Sequence, residues 1–116
     1  MVNELTEHEI KNSKKQQVFY YYDKPVLYTC ICKNNRYLVL LVDENNNSQT
    51  WFYTLIDDIQ YKQLLKNKID LYSVFKFAEL RYIYEVIIDK KNYHYKISKL
   101  PVHKIPDSYL PEKNIS

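Results

Sequence analysis

The 116-residue sequence contains no glycine, and only four prolines, two cysteines and one methionine. Without glycine the chain cannot build the phosphate-cradling loops that need close backbone approach and positive φ, so a P-loop or a Rossmann fingerprint is excluded. Left-handed turn positions fall to asparagine, and Asn34-Asn35 and residues 45–47 stand where such turns are wanted. The cysteines exclude further chemistry. Cys30 and Cys32 lie two apart in an apolar, strand-like run, so they share a face with their sulfurs aimed in parallel. Buried free thiols are expected, not a disulfide, and zinc would need a complementary pair that the sequence lacks. No apolar run approaches membrane-spanning length, and the N-terminus carries acids where a secretory signal has basic and then apolar residues. The expectation is a soluble cytoplasmic protein with no membrane partner.

Tyrosine is the abundance that balances these absences: 13 of them, in an aromatic share of 16%, well above ordinary usage. The net charge of +3 is small and scattered, with Lys14-Lys15 and Lys90-Lys91 as isolated pairs. Duplex nucleic acid is therefore not an expected partner.

Residues 1–17 are polar and read as an arm or a short helix ahead of a single domain spanning residues 18–116. Residues 18–22 are β-prone and end at Asp23-Lys24-Pro25, where proline breaks the ladder. Residues 26–33 and 36–43 read as a hairpin turned by Asn34-Asn35, which would set Ile31 opposite Leu38 and Thr29 opposite Leu40. Both faces of that hairpin are apolar, as in a strand pair covered on two sides. Residues 50–56 complete a three-strand meander. Asp57-Asp58 can cap one short helix, and Asp70 a second in which Leu71, Val74, Phe75 and Ala78 repeat at helical spacing. Residues 82–89 and 93–98 read as a C-terminal hairpin around Lys90-Lys91: a two-residue loop sets Glu85 opposite Lys96, and a loop with Asn92 in the left-handed conformation shifts the register by one. The fold class expected is α+β, with an antiparallel, strongly curved sheet of five to six strands.

Catalytic raw material is thin. His8, His94 and His103 are scattered and Ser73 lacks a nucleophile elbow, so no catalytic residue, metal or cofactor is assigned. Ring chemistry is better supplied, because tyrosine and tryptophan offer stiff amphipathic contact area at low entropic cost. The candidate ligand-binding residues are Tyr22, Asp23, Trp51, Tyr53, Tyr82 and Tyr84, joined by Arg36 and Arg81, whose planar guanidinium groups can grip phosphate bidentately.

The order Tyr21-Tyr22-Asp23-Lys24-Pro25, then residues 37–44 (YLVLLVDE), Trp51-Phe52-Tyr53, Ile69-Asp70-Leu71-Tyr72 and Tyr84-Glu85-Val86 resembles a family of short, functionally uncharacterised bacterial and phage proteins. Such phage-borne families include immune-evasion proteins that sequester nucleotide signals. The resemblance implies a non-enzymatic sponge for a nucleotide-derived signal, of cyclic nucleotide or cyclic ADP-ribose type, and allows a homo-oligomer with sites at subunit interfaces. The alternative from the residues themselves is a protein-interaction module, inhibitor or antitoxin-like, that docks on a host protein through exposed tyrosines.

Overall fold

The computed structural model describes residues 4–21 and 24–110. A short helix α1 (Glu7–Lys11) leads into strands β1 (Lys14–Tyr21), β2 (Pro25–Cys32), β3 (Asn35–Glu44) and β4 (Ser48–Ile56). Helices α2 (Asp58–Leu65) and α3 (Leu71–Lys76) follow, then β5 (Tyr82–Asp89), β6 (Tyr95–Pro101) and two 3-10 turns, Val102–Lys104 and Asp107–Tyr109. The six strands form one antiparallel sheet in sequence order, with β1 and β6 as its open edges. The expected α+β class is thus present. Register shifts along β1 against β2, and at Leu41/Asp43 in β3, mark bulges of the kind that bend and twist a sheet.

The helices start where the sequence places caps. Asp57 and Gln60 form a reciprocal box: the Gln60 N–H donates to Asp57 Oδ1 at 2.7 Å, and the Asp57 N–H to Gln60 Oε1 at 3.1 Å. This satisfies two backbone donors that the first turn of α2 would otherwise leave open. Asp70 caps α3, accepting from the Tyr72 N–H and the Ser73 hydroxyl, each at 3.2 Å. Leu71, Val74, Phe75 and Ala78 are all buried.

Both hairpins close differently from the sequence expectation. The first turn is Lys33-Asn34, both residues at positive φ (47° and 69°), and Thr29 faces Leu38 while Cys32 faces Asn35. A turn at Asn34-Asn35 would set Lys33 against Arg36, a like-charge pair directly opposite. The observed register gives Arg36 the apolar partner Ile31. In the second hairpin Glu85 faces Ser98, and Lys96 faces Ile87. Asp89 accepts from the Lys91 N–H at 2.7 Å and Asn92 from the His94 N–H at 3.2 Å; these Asx turns favour a longer loop than two residues. Tyr93, at φ 56°, takes its left-handed position. The first strand also starts earlier than the β-prone run at Val18. Lys14 to Gln17 are exposed, so an edge strand hides there behind polar residues.

Strand alternation sorts the core into two layers. On one face Leu27, Leu38, Phe52, Ile56 and Ile83 pack beneath Leu64, Leu71, Val74, Phe75, Ile105 and Leu110, from the helices and the C-terminal turns. On the other face Tyr28, Cys30, Cys32, Tyr37, Val39, Trp51, Tyr53, Tyr84 and Val86 pack, among the described residues, beneath Leu5 and Ile10 of the N-terminal segment. Burying a large apolar side chain contributes ~1.5–3 kcal/mol. The helix side therefore carries a thick cover, and the aromatic side a thin one.

Candidate ligand-binding recess

Residues of one parity on β2 to β5 place their rings on the thinly covered face. Tyr28 and Trp51 meet edge to face with centroids 5.9 Å apart. Tyr37 touches Tyr53 at 6.2 Å and Tyr84 at 6.4 Å, and Tyr82 meets Tyr84 at 5.6 Å and 87°. Such edge-to-face contacts suit the ring quadrupoles and hold the rings in fixed orientations. Where β2, β4 and β5 pass the end of α1, a recess of about 300 Å³ opens, walled by Tyr28, Trp51, Tyr53 and Tyr95 and rimmed by Lys11, Ser13, Lys15 and Gln49.

Charge enters from the N-terminal segment and the edge strands. Lys15 Nζ lies 4.9 Å from the centroid of Tyr28, Lys11 Nζ 5.2 Å from that of Tyr95, and Lys99 Nζ 5.0 Å from that of Tyr82. Each ammonium sits within the ~6 Å range where the face of a ring attracts a cation. The Trp51 indole N–H donates to Gln49 Oε1 at 3.2 Å. Burial pushes the Tyr28 phenol up to about 12 and raises Tyr37 and Tyr53 further. Burial thus holds the Tyr28 and Tyr53 phenols in the neutral form, while Lys11 on the rim also pairs with Glu7 at 3.4 Å.

Beside the recess the Cys30 and Cys32 sulfurs lie 3.8 Å apart, as hydrogen-bonded free thiols. That hydrogen bond and burial raise the Cys30 thiol, while the same bond lowers Cys32. Among the described residues no three His, Cys, Asp or Glu side chains cluster as metal ligands, and no helix is long and apolar enough to cross a membrane.

The structure joins some of the sequence candidates and separates others. Trp51 and Tyr53 wall the recess; Tyr84, buried, and Tyr82, half-buried, lie further along the same face. Arg36 points to the opposite face, where its guanidinium stacks 4.0 Å over Tyr61, pairs with Asp58 at 2.6 Å and donates to Gln16 at 2.8 Å. The smaller recess beside it, about 230 Å³, is lined by Asp57, Asp58 and Glu79, carboxylates that disfavour an anion. Arg81 sits exposed in the turn before β5, at φ 63°. Tyr22 and Asp23 lie outside the described residues. Tyr28, Tyr95, Lys11, Lys15 and Gln49 were not among the candidates. Only strand parity could have found Tyr28, since it shares a face with Cys30 and, across β3, with Trp51. No local signal marks Lys11, because it reaches Tyr95 from the far end of the chain.

Fold and face together define a class: an open, six-stranded antiparallel α+β domain with one aliphatic, helix-covered side and one aromatic side. The chain belongs to a family of unknown function, DUF6575, which matches residues 12–116. No curated protein and no solved structure matches it.

Proposed function

We propose that this protein is a non-enzymatic binding protein that holds a nucleotide-class ligand in the ring-walled recess, as a phage-type sponge does with a nucleotide-derived immune signal. The observation that carries this reading is the pairing of neutral aromatic walls with two rim ammoniums, Lys11 over Tyr95 and Lys15 over Tyr28. A base that took a ring face from a rim ammonium would gain ~1–3 kcal/mol by stacking and need no sequence of its own, because every base has a π-face. The lysines serve the phosphate as point charges, leaving base and phosphate recognition to different groups. A volume of about 300 Å³ lies at the small end of ligand sites, which favours one nucleotide unit or a compact cyclic nucleotide over a strand. The sequestering role rests on the family resemblance and on the lack of a nucleophile motif in the sequence.

Calorimetric titration of the full chain with cyclic mononucleotides, cyclic dinucleotides and ADP-ribose-type nucleotides tests the reading. At least one should bind. Lys15→Ala and Trp51→Phe should each weaken it about 10-fold, equivalent to ~1.4 kcal/mol. The bound compound should be recovered unchanged after heat denaturation, which separates holding from turnover. No heat from any member of the panel, or an affinity indifferent to Lys15→Ala, sinks the proposal.

A further inference from the structure

Cys30 and Cys32 stand on alternate positions of β2 with their sulfurs 3.8 Å apart, and both side chains are buried. Their surroundings are apolar and aromatic: Leu5, Ile10, Tyr28, Tyr37 and Val39 share the cluster. Among the described residues no third cysteine, histidine or carboxylate joins them, so the soft donor set is two sulfurs. Structural zinc takes four ligands, and calcium or magnesium takes six or more oxygens. Two thiolates suffice for a soft cation of low coordination number. The distance agrees with that class. Two metal–thiolate bonds of ~2.3 Å set in line span ~4.6 Å, so sulfurs at 3.8 Å need to separate by roughly 0.8 Å. A small rotation of the two side chains supplies this without moving the strand.

We infer that Cys30 and Cys32 form a binding site for a soft monovalent cation, copper(I), held between the two sulfurs. On binding, each S–H gives its proton to solvent and each sulfur makes one bond to the ion, with no change of oxidation state. The bound group carries two thiolate charges against one on the ion, and so a single net negative charge in a layer poor in water. Lys15 answers that charge. It stands opposite Cys30 across β1 and β2, on the same face, with Nζ 4.9 Å from the centroid of the Tyr28 ring. Such pairing offsets the cost of an isolated buried charge, whereas a divalent ion would leave the lysine with nothing to offset. A route for the ion is also present. The Ser13 hydroxyl lies beside both sulfurs and lines the ring-walled recess, so the thiols sit just behind its wall.

Thermal melts of the full chain in anaerobic, chelator-buffered copper(I), with zinc(II) as the comparison, test the site. An ion held by the folded protein raises Tm, while one that reaches the sulfurs only in the unfolded chain lowers it. Tm should rise by roughly 10 °C once free copper(I) reaches about 100 times its dissociation constant, and zinc(II) should not move it. Cys30→Ala and Cys32→Ala should each abolish the rise. No rise, or a fall, would mean that the thiols are core packing alone and overturns the proposal. An equal rise with zinc(II) overturns it too, as does an undiminished rise in either variant, which would put the ion elsewhere. If a variant fails to fold, copper-edge X-ray absorption of the unaltered protein decides: two sulfur neighbours are expected, and a shell containing nitrogen or oxygen counts against the site. None of these measurements involves a nucleotide, so this inference and the binding reading stand or fall separately.

Discussion

Among the described residues, Thr29 and Thr54 are the two polar side chains fully buried in the sheet, and neither hydroxyl has a hydrogen-bond partner. They flank Leu38 across two strands, on the aliphatic, helix-covered face. A buried hydroxyl without a partner forfeits its water and gains nothing in return, at a cost of ~1–3 kcal/mol. Thr29→Val and Thr54→Val keep the β-branched shape and strand preference while exchanging the hydroxyl for a methyl. Each is expected to stabilise the protein by about 1–2 kcal/mol. With ~2.1 cal/mol/K of unfolding entropy per residue, a chain this long gains roughly 4 °C in Tm per kcal/mol. Each variant should melt about 4–8 °C higher, and because both threonines flank Leu38 the double variant should depart from the simple sum of the two gains. Differential scanning calorimetry and urea titration on the single and double variants check this. A lower Tm in either single variant would refute the reasoning, because it would mean that the hydroxyl is engaged in the native state.

Three further outcomes follow from local geometry and charge. Lys33→Asn with Asn34→Gly should stabilise the first hairpin by about 1 kcal/mol, since both turn positions have positive φ and Asn-Gly is the pair this turn prefers; a Tm below that of the parent would contradict the observed register. Alkali should destabilise the fold through the aromatic face. A phenol raised when folded contributes stability that is complete below the unfolded value, about 10, and is lost as pH rises through the folded one, near 12 for Tyr28. Chemical denaturation should therefore show stability falling between pH 10 and 12, and a flat profile there would be inconsistent with buried phenols. Acid works in the opposite sense. Glu44, held down to about 2 by Lys24, then Lys90 and Gln49, contributes stability above its unfolded value of ~4.3 that is lost as pH falls towards 2. Glu44→Gln should flatten that acid limb.

The caps at Asp57 and Asp70 and the apolar spacing of α3 were legible because each depends on residues within a turn of one another. Register was not, because it is decided by pairs that meet only across strands. Asparagine's tolerance of left-handed backbone pointed to Asn34-Asn35, but keeping Lys33 away from Arg36 favours the turn one residue earlier. In the C-terminal loop the side chains of Asp89 and Asn92 override the short turn at Lys90-Lys91. The candidate site divided in the same way. Trp51, Tyr53, Tyr82 and Tyr84 could be recognised as ring-bearing strand residues, yet Arg36, one of the two arginine candidates for an anion, is committed to Asp58 and Tyr61 of a helix that lands on the opposite face.

From its residues alone, then, the chain determined its absences and its local elements: no glycine loop, no cysteine pair suited to a disulfide, short capped helices, and strands apolar on both faces. Those follow from chemistry that acts within a few residues. Only the tertiary structure decided which face the helices would cover, and hence that the rings of β2 to β5 would gather on the other one. It also brought residues 4–11 over that face and set Lys11 against Tyr95. These arrangements depend on contacts between residues as much as 95 positions apart, whose energy no stretch of sequence contains until the sheet has formed.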